Sequence, residues 1–539
     1  MDLWSGWAAA GSPGFASPSS PTDAALVTFG DRMSPLHAPS RGAGPAGPPT
    51  ASAPWEGRHL PPGVYLWGVL VIVVIGAALR LAHLTRPFNG VIATAWNEGH
   101  YAMIALNFDR YGLSSQHNEL GVDYTFSPGV PWLIWLSFKA FGISEWAARL
   151  PIAAFGIAAV PLVAAFVRRL TASEQVAFLA AGLVATFPET VYFSQNVQLD
   201  TPSICCALAA GVEILRYRNG GRRGDIVAAA IFATLAVWFK FTTVLAYPAY
   251  VALWWPARPR RTLVALGAAA ALAALTLIPS VAWIVHGKLT GRTLAGFYER
   301  NWDLRGLKEV LIQLPLMVGT HLFPTGFVLL LLGLPAAIRW RARLRGLGLW
   351  CCSWVLLYFA APYSALNNRY YDLPATYLLS VPAALGLWVP LARRRPAGAL
   401  SRALIVGLAV LMALPAAYDL WDSTTDRLAR MTAAHPPPLD PSPFYSAKVV
   451  AHFPKGRTVV DAPQTMFYAG GDPAWISIVG GLGDVREAID GERFDYILLN
   501  DYWHQQEPYY PVDAALRERL ARHHYTQIAP AAWARTVGR

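Results

Sequence analysis

"YLWGVLVIVVIGAALRLAHL", residues 65–84, is a run of almost wholly apolar residues. About 20 such residues cross the hydrocarbon core of a bilayer as an α-helix, the only single-segment conformation that satisfies its own backbone there. Comparable blocks recur along the chain. Of the 539 residues 54% are hydrophobic, only 14% are charged, and the mean hydropathy is +0.34. That is too apolar for a soluble protein with one or two cores. The chain reads as an α-helical polytopic membrane protein.

The formal net charge of +11 is not the footprint of a nucleic-acid binder. The arginines sit in short clusters between apolar blocks, at Arg168–Arg169, Arg216–Arg223, Arg258–Arg261, Arg339–Arg345 and Arg393–Arg395, as orientation in a membrane requires. With these clusters in the cytoplasm, the first span is followed by spans near 146–167, 172–188, 200–216, 225–240, 241–256, 262–286, 323–339, 347–362, 373–391 and 401–420. That makes about eleven, with the N-terminus inside and the C-terminus outside. Residues 128–142, "PGVPWLIWLSFKAFG", resemble a span, but they are short and counting them would put Arg168 and Arg169 outside. They read as an interfacial helix in a first outer loop, 85–145.

Residues 1–57 are rich in Ala, Pro, Ser and Gly without periodicity and read as a disordered cytoplasmic tail. No apolar core of a signal peptide precedes residue 65. The transmembrane domain is expected over 58–420. From 421 to 539 short β-rich runs such as "GRTVVDAPQTMFYAGG" and "FDYILLNDYW" point to a small extracytoplasmic α/β domain. "GGLGDV" at 480–485 lacks a complete nucleotide-binding pattern and reads as a turn. The four cysteines form two adjacent pairs, Cys205-Cys206 and Cys351-Cys352, inside apolar runs. They read as small apolar residues, and no disulfide framework follows.

Charges near membrane helices need solvation or partners, and on this topology the unusual ones share the outer side. In "TAWNEGHYAMIALNFDRYGL", residues 94–113, Tyr101, Ile104, Ala105 and Phe108 follow helical spacing. Glu98 falls near that stripe, and Asn97 suits an N-cap. Asp200 lies where the chain re-enters the membrane in "SQNVQLDTPS". Lys240 lies about 22 Å along the 225–240 helix from its cytoplasmic start. Arg369, with Tyr370 and Asp372 beside it, occupies a short outer loop; Arg149 opens the second span, and Arg292 and Arg300 lie in a longer outer loop. Singly, each has a structural reading: a first-turn acid that stabilises a helix start for Glu98, an N-cap for Asp200, snorkelling for Lys240. Together, two acids and several cations at one mouth suit a reaction on a lipid-linked phosphate. Cations would bind the phosphate, and a carboxylate would take the proton of an attacking hydroxyl.

The stretch "NEGHYAMIALNFDRYGL" also resembles the acidic first-loop motif of glycosyltransferases that use polyprenyl-phosphate sugars. These are the GT-C group of protein O-mannosyltransferases and the lipid A aminoarabinose transferase, glycosyltransferase family 39 in type. The similarity continues through "YTFSPGVPWLIWLSFKAFGISEWAARLP", "FSQNVQLDTPSI", "VWFKFTTVLAYP" and "NNRYYDLPATYLLSVPAALGL", in order, over roughly 65–391. The resemblance implies a GT-C fold. It also implies transfer of a sugar, with inversion, from a polyprenyl-phosphate donor to a hydroxyl of a protein, lipid or glycan at the outer face of the plasma membrane. Family members often carry an Asp-Glu pair in the first loop, where this chain has Asn97-Glu98. The base role then falls to Glu98, with Asp200 as second base or orienting group. Lys240, Arg369 and Tyr370 match positions suited to donor phosphate, with Asn97, His100, Tyr101 and Arg149 as accessory residues. No cofactor is required. A divalent metal is not demanded, and the spacing of Glu98, His100 and His117 is not diagnostic of one. Oligosaccharide or polymer transfer, a catalytically inactive family member and a lipid-linked sugar transporter are the other readings.

Overall fold

The structure, a computed structural model, describes most of residues 62–254, all of 323–360 and 373–394, and most of 449–499 and 514–536. The first apolar run forms α1, Pro62–Leu81. Its Leu66, Trp67, Leu70, Val71 and Val74 are exposed, while Ile72 and Leu79 face inward. So many large apolar side chains on one face belong in lipid rather than water.

After α2, Ile92–Tyr111, comes a two-residue hairpin, β1 (His117–Asn118) and β2 (Gly121–Val122). Then α3, Gly129–Phe141, appears where the interfacial helix was expected. The long α4, Glu145–Thr171, starts at Ser144, whose hydroxyl caps Ala147 N–H, and α5, Glu174–Thr186, starts likewise at Ser173. The chain then bends by 58° into α6, Pro188–Ser194. Pro188 has no N–H to continue the ladder. The carbonyls this leaves at the end of α5 are collected by Arg80 of α1, whose guanidinium reaches Ala185 O at 2.9 Å and Val184 O at 3.1 Å. A fully buried arginine in an apolar helix is thereby satisfied by broken-helix backbone.

Next come α7 (Asp200–Gly220), α8 (Arg223–Phe239), a 3₁₀ segment (Phe241–Ala246), α9 (Tyr247–Trp254), α10 (Phe323–Arg339), α11 (Arg345–Ala360) and α12 (Leu373–Arg394). Among the described residues three helices are long and apolar enough to cross a membrane, α1, α4 and α12, and the bent α5–α6 pair makes a fourth. The runs Phe241–Trp254 and Thr325–Arg339 are shorter apolar helices. The expected spans 262–286 and 401–420 and the tail 1–57 lie almost wholly outside the described residues.

Within the bundle α4 packs on α1, α5 and α7, α7 on α8, and α12 on α5 and α10. The α10–α12 crossing brings backbone against backbone. A Cβ at Gly333 would run into Pro382 O, and one at Gly386 into Leu329 O. Gly386→Ala is therefore expected to destabilise the protein by about 1–3 kcal/mol or more, to be read as a lower melting midpoint in detergent. An unchanged midpoint would refute this packing.

The C-terminal residues form a mixed five-stranded sheet from β3 (Thr458–Val460), β4 (Ile476–Ile478), β5 (Tyr496–Leu498), β6 (Tyr525–Ala529) and β7 (Ala532–Arg535), in the order β4-β3-β5-β7-β6. Strand β3 is parallel to both β4 and β5, and β7 is antiparallel to β5 and β6. The two-residue period decides its packing. Val459 and Ile497 enter a core with Val485, Ile489, Leu516 and Leu520 from α14 (Leu482–Asp490) and α15 (Ala514–Arg522). Val460 and Leu498 point the other way and join the core of the helical body. Leu482 of the glycine-rich stretch opens α14, and Gly480 and Gly481 lie outside the described residues. Between β3 and β4, α13 (Pro463–Tyr468) lies against α2.

Candidate active site

The charged stretch is the middle of α2. Tyr101, Ile104, Ala105 and Phe108 are buried, as their spacing predicts, and so are Met103 and Asn107 on another face. The second burial comes from the C-terminal part. Asn107 Nδ2 donates to Gly471 O at 2.7 Å, Arg110 to Gly470 O at 2.9 Å, and the Tyr111 hydroxyl to Asp472 at 2.8 Å. Gly471 has φ +67°, and a Cβ there would press on Leu106, so glycine is required both for the turn and for the contact. On the exposed side Asp109 accepts from Trp135 and pairs with Lys139 of α3. The Lys139 and Trp135 hydrogen bonds hold its carboxyl below the usual range.

Because α2 begins at Ile92, Asn97 lies in the second turn and is not the N-cap that the sequence led us to expect. Glu98 follows, and its carboxylate is fully enclosed. Arg149 of α4 grips it through Nε to Oε1 at 2.6 Å and Nη2 to Oε2 at 2.8 Å, with 0% exposure on both sides. Val197 N–H adds a third donor at 3.1 Å. The remaining guanidinium nitrogen, Nη1, donates to Leu84 O at 2.9 Å and to Arg86 O, and Phe88 lies against the cation. This is the fork geometry that arginine suits and lysine does not. It leaves Glu98 with no oxygen open to a substrate.

The second acid sits differently. Leu199 occupies the N-cap of α7, and Asp200 is the first helical residue without capping. Its Oδ1 accepts instead from Lys240 Nζ at 2.6 Å, with side chains 3% and 8% exposed. Lys240 ends α8 with an extended backbone, φ −151°, where the helix gives way to the 3₁₀ segment. Ser203, which donates to Ala236 O at 3.0 Å and pairs with Thr243, holds the start of α7 against the end of α8. Lysine at that helix end is thus paired rather than snorkelling.

Residues 195–200 join the two pairs. Gln195 Nε2 donates to Leu79 O at 2.6 Å, Asn196 Oδ1 accepts from Arg86 at 3.1 Å, Val197 is held by Glu98, and Gln198 Oε1 accepts from Asn97 Nδ2 at 3.1 Å. The structure therefore brings Asn97, Glu98, Arg149, Asp200 and Lys240 to one place. His100 and Tyr101 are buried beside them, edge to face at 5.0 Å. Arg369, Tyr370, Asp372, Arg292 and Arg300 lie outside the described residues. His117 stacks on Tyr111 at 3.8 Å, away from Glu98's partners. Among the described residues no group of three or more His, Cys, Asp or Glu comes together as a metal site. Gln198 and Arg80 were not singled out from the sequence. Their signal is polarity in the wrong place: an amide beside Asp200 in a very apolar chain, and one arginine inside an apolar run.

The C-terminal part reaches this site through Tyr468. Its hydroxyl donates to Glu145 at 2.8 Å and accepts from Phe88 N–H at 3.2 Å. Burial, with Glu145 beside it, pushes the phenol well above its ordinary range, so it stays a neutral donor.

Residues 126–284 match the family model described as dolichyl-phosphate-mannose-protein mannosyltransferase. No curated protein matches this chain in sequence. Among solved structures, ArnT from Cupriavidus metallidurans in the apo state is 15% identical with a TM-score of 0.57, over 87% of this chain and 98% of that one. The same protein bound to undecaprenyl phosphate is 14% identical with a TM-score of 0.55, over 88% and 98%. The archaeal oligosaccharyltransferase AglB from Archaeoglobus fulgidus, in complex with an inhibitory peptide and a dolichol-phosphate, is 14% identical with a TM-score of 0.51, over 81% and 69%. At these identities the likeness is one of fold. The family match over 126–284 and this shared fold agree with the five motifs, and the chain is a membrane protein that resembles the GT-C glycosyltransferases working on polyprenyl-phosphate-linked donors.

Proposed function

We propose that this protein transfers a sugar from a polyprenyl-phosphate donor to an acceptor hydroxyl of a protein, lipid or glycan. The reaction runs with inversion at the extracytoplasmic face of the bacterial plasma membrane. The observation that carries this reading is the buried Asp200–Lys240 pair, held beside a fully enclosed Glu98–Arg149 pair by one short segment. Asp200 acts as the base. Its Oδ1 is taken by a single lysine, whereas Glu98 accepts from three donors. When the donor binds, Lys240 turns to its phosphate, joined by Arg369 and Tyr370, and Asp200 is released to accept a proton. The acceptor oxygen loses that proton to Asp200 and attacks the anomeric carbon. The bond from that carbon to the phosphate oxygen breaks, and polyprenyl phosphate leaves with its charge held by the cations. Glu98 and Arg149 shape the site, with Asn97, His100 and Tyr101 lining it.

The test is transfer of labelled sugar from a panel of polyprenyl-phosphate monosaccharides and lipid-linked oligosaccharides, using membranes that carry the wild-type protein at a level matched to a vector control. Label moved from at least one monosaccharide donor is the expected result. Label moved only from oligosaccharide donors would replace monosaccharide transfer by oligosaccharide transfer, the activity of the AglB-like neighbour. No transfer from any donor would count against an active enzyme.

A further inference from the structure

Gln198 is 1% exposed, and only one end of its amide is used. Oε1 accepts from Asn97 Nδ2, and Nε2 at the opposite end is buried with no hydrogen-bond partner. A buried amide donor without an acceptor is rare in a native fold and calls for an occupant. This one is not in a loose place. Its neighbour Val197 is fastened to Glu98, and Asp200, two residues on, is fastened to Lys240. Asn97, which orients the amide, is itself partly open. The unused end of the amide therefore belongs to a segment anchored on both sides, to the enclosed ion pair through Val197 and to Lys240 through the proposed base.

We propose that Gln198 is a donor-binding residue. Its Nε2–H hydrogen-bonds an oxygen of the lipid-linked headgroup, either a phosphate oxygen or a sugar hydroxyl, and Asn97 fixes the direction in which it points. This rests on the reading of the site as one for a polyprenyl-phosphate sugar. The arrangement contrasts with Glu98, both of whose carboxylate oxygens already accept from donors of the protein. Gln198 holds its amide NH2 in reserve, already desolvated, so binding of the headgroup completes a hydrogen bond without first stripping water from it.

The test compares wild type with Gln198→Met and Gln198→Glu in purified full-length protein in detergent. Met keeps the shape and removes the donor. Glu still accepts from Asn97 but puts an oxygen where the N–H was. Two quantities are read: the affinity for undecaprenyl phosphate, and KM for whichever sugar-charged donor supports transfer. Each variant is expected to weaken one of them about tenfold, Glu by more than Met, with the melting midpoint held within about 2 °C. Weaker binding of bare undecaprenyl phosphate assigns the contact to a phosphate oxygen. A raised donor KM with bare-phosphate affinity unchanged assigns it to a sugar hydroxyl. Wild-type values of both in Gln198→Met would overturn the inference and leave an ordered water as the amide's partner. So would a fall in melting midpoint with neither quantity changed, which would make Gln198 structural. A wild type that neither binds undecaprenyl phosphate nor transfers sugar would instead sink the donor reading itself.

Discussion

Asp200→Asn is expected to lower the rate of sugar transfer by about 10²–10⁴-fold, the range over which a positioned general base acts. Binding of undecaprenyl phosphate should survive or tighten, because the substitution frees the Lys240 ammonium, now 2.6 Å from Oδ1, for the phosphate. The converse change, Lys240→Met, should chiefly weaken donor binding. This split separates chemistry from scaffolding. Both partners are buried, so removing either also perturbs the fold, and a structural role alone would lower rate and affinity together. Measuring kcat and donor affinity side by side at matched folded protein decides the matter. Wild-type kcat in Asp200→Asn would remove Asp200 from the reaction.

For Arg149→Met the expected outcome is loss of folded protein rather than a selective loss of rate. The substitution leaves the Glu98 carboxylate, 0% exposed, without its counter-charge, and breaking one side of a buried pair costs about 3–5 kcal/mol. It also orphans the carbonyls of Leu84 and Arg86. Glu98→Gln is milder, since an amide oxygen still accepts from Arg149 and Val197 N–H, but it leaves Arg149 uncompensated. Adding Glu98→Gln to Arg149→Met should recover part of the loss, since neither position then carries a buried charge. A double-mutant cycle on melting midpoints or folded yield measures that coupling. Additive effects would argue against the pair as the pivot of the site. A Glu98→Gln protein that melts like wild type yet transfers no sugar would restore Glu98 as the base.

Tyr468 shows how distant parts of the chain meet around this pivot. The strap from Leu84 to Phe88 is fixed on one side by Arg149 and on the other by the Tyr468 hydroxyl, which also reaches Glu145 at the start of α4. The C-terminal sheet does not merely sit beside the helices. Residues such as Val460 and Leu498 complete the core of the helical body from one face of the sheet, while their strand neighbours Val459 and Ile497 form a second core on the other.

Read alone, the sequence was enough for whatever short-range pattern decides. Long apolar runs between arginine clusters declare membrane helices because hydrocarbon allows no other single-segment backbone. The stripe Tyr101, Ile104, Ala105 and Phe108 foretold the buried face of α2, and α3 appears where two prolines and a short run argued against a span. Five motifs in order pointed to a GT-C group, in agreement with the shared fold. Partner choice was out of reach. That Glu98 would be closed off by Arg149, 51 positions away, and Asp200 joined to Lys240, 40 positions away, depends on how helices pack and not on local spacing. The same holds for Asn97, taken for a helix cap because α2 was expected to begin there, and for Arg80, whose partners Val184 O and Ala185 O are free to accept because α5 breaks at Pro188. The buried N–H of Gln198 is the clearest case. Residue type shows that an amide is present, but only the folded neighbourhood shows which of its ends the protein has already used.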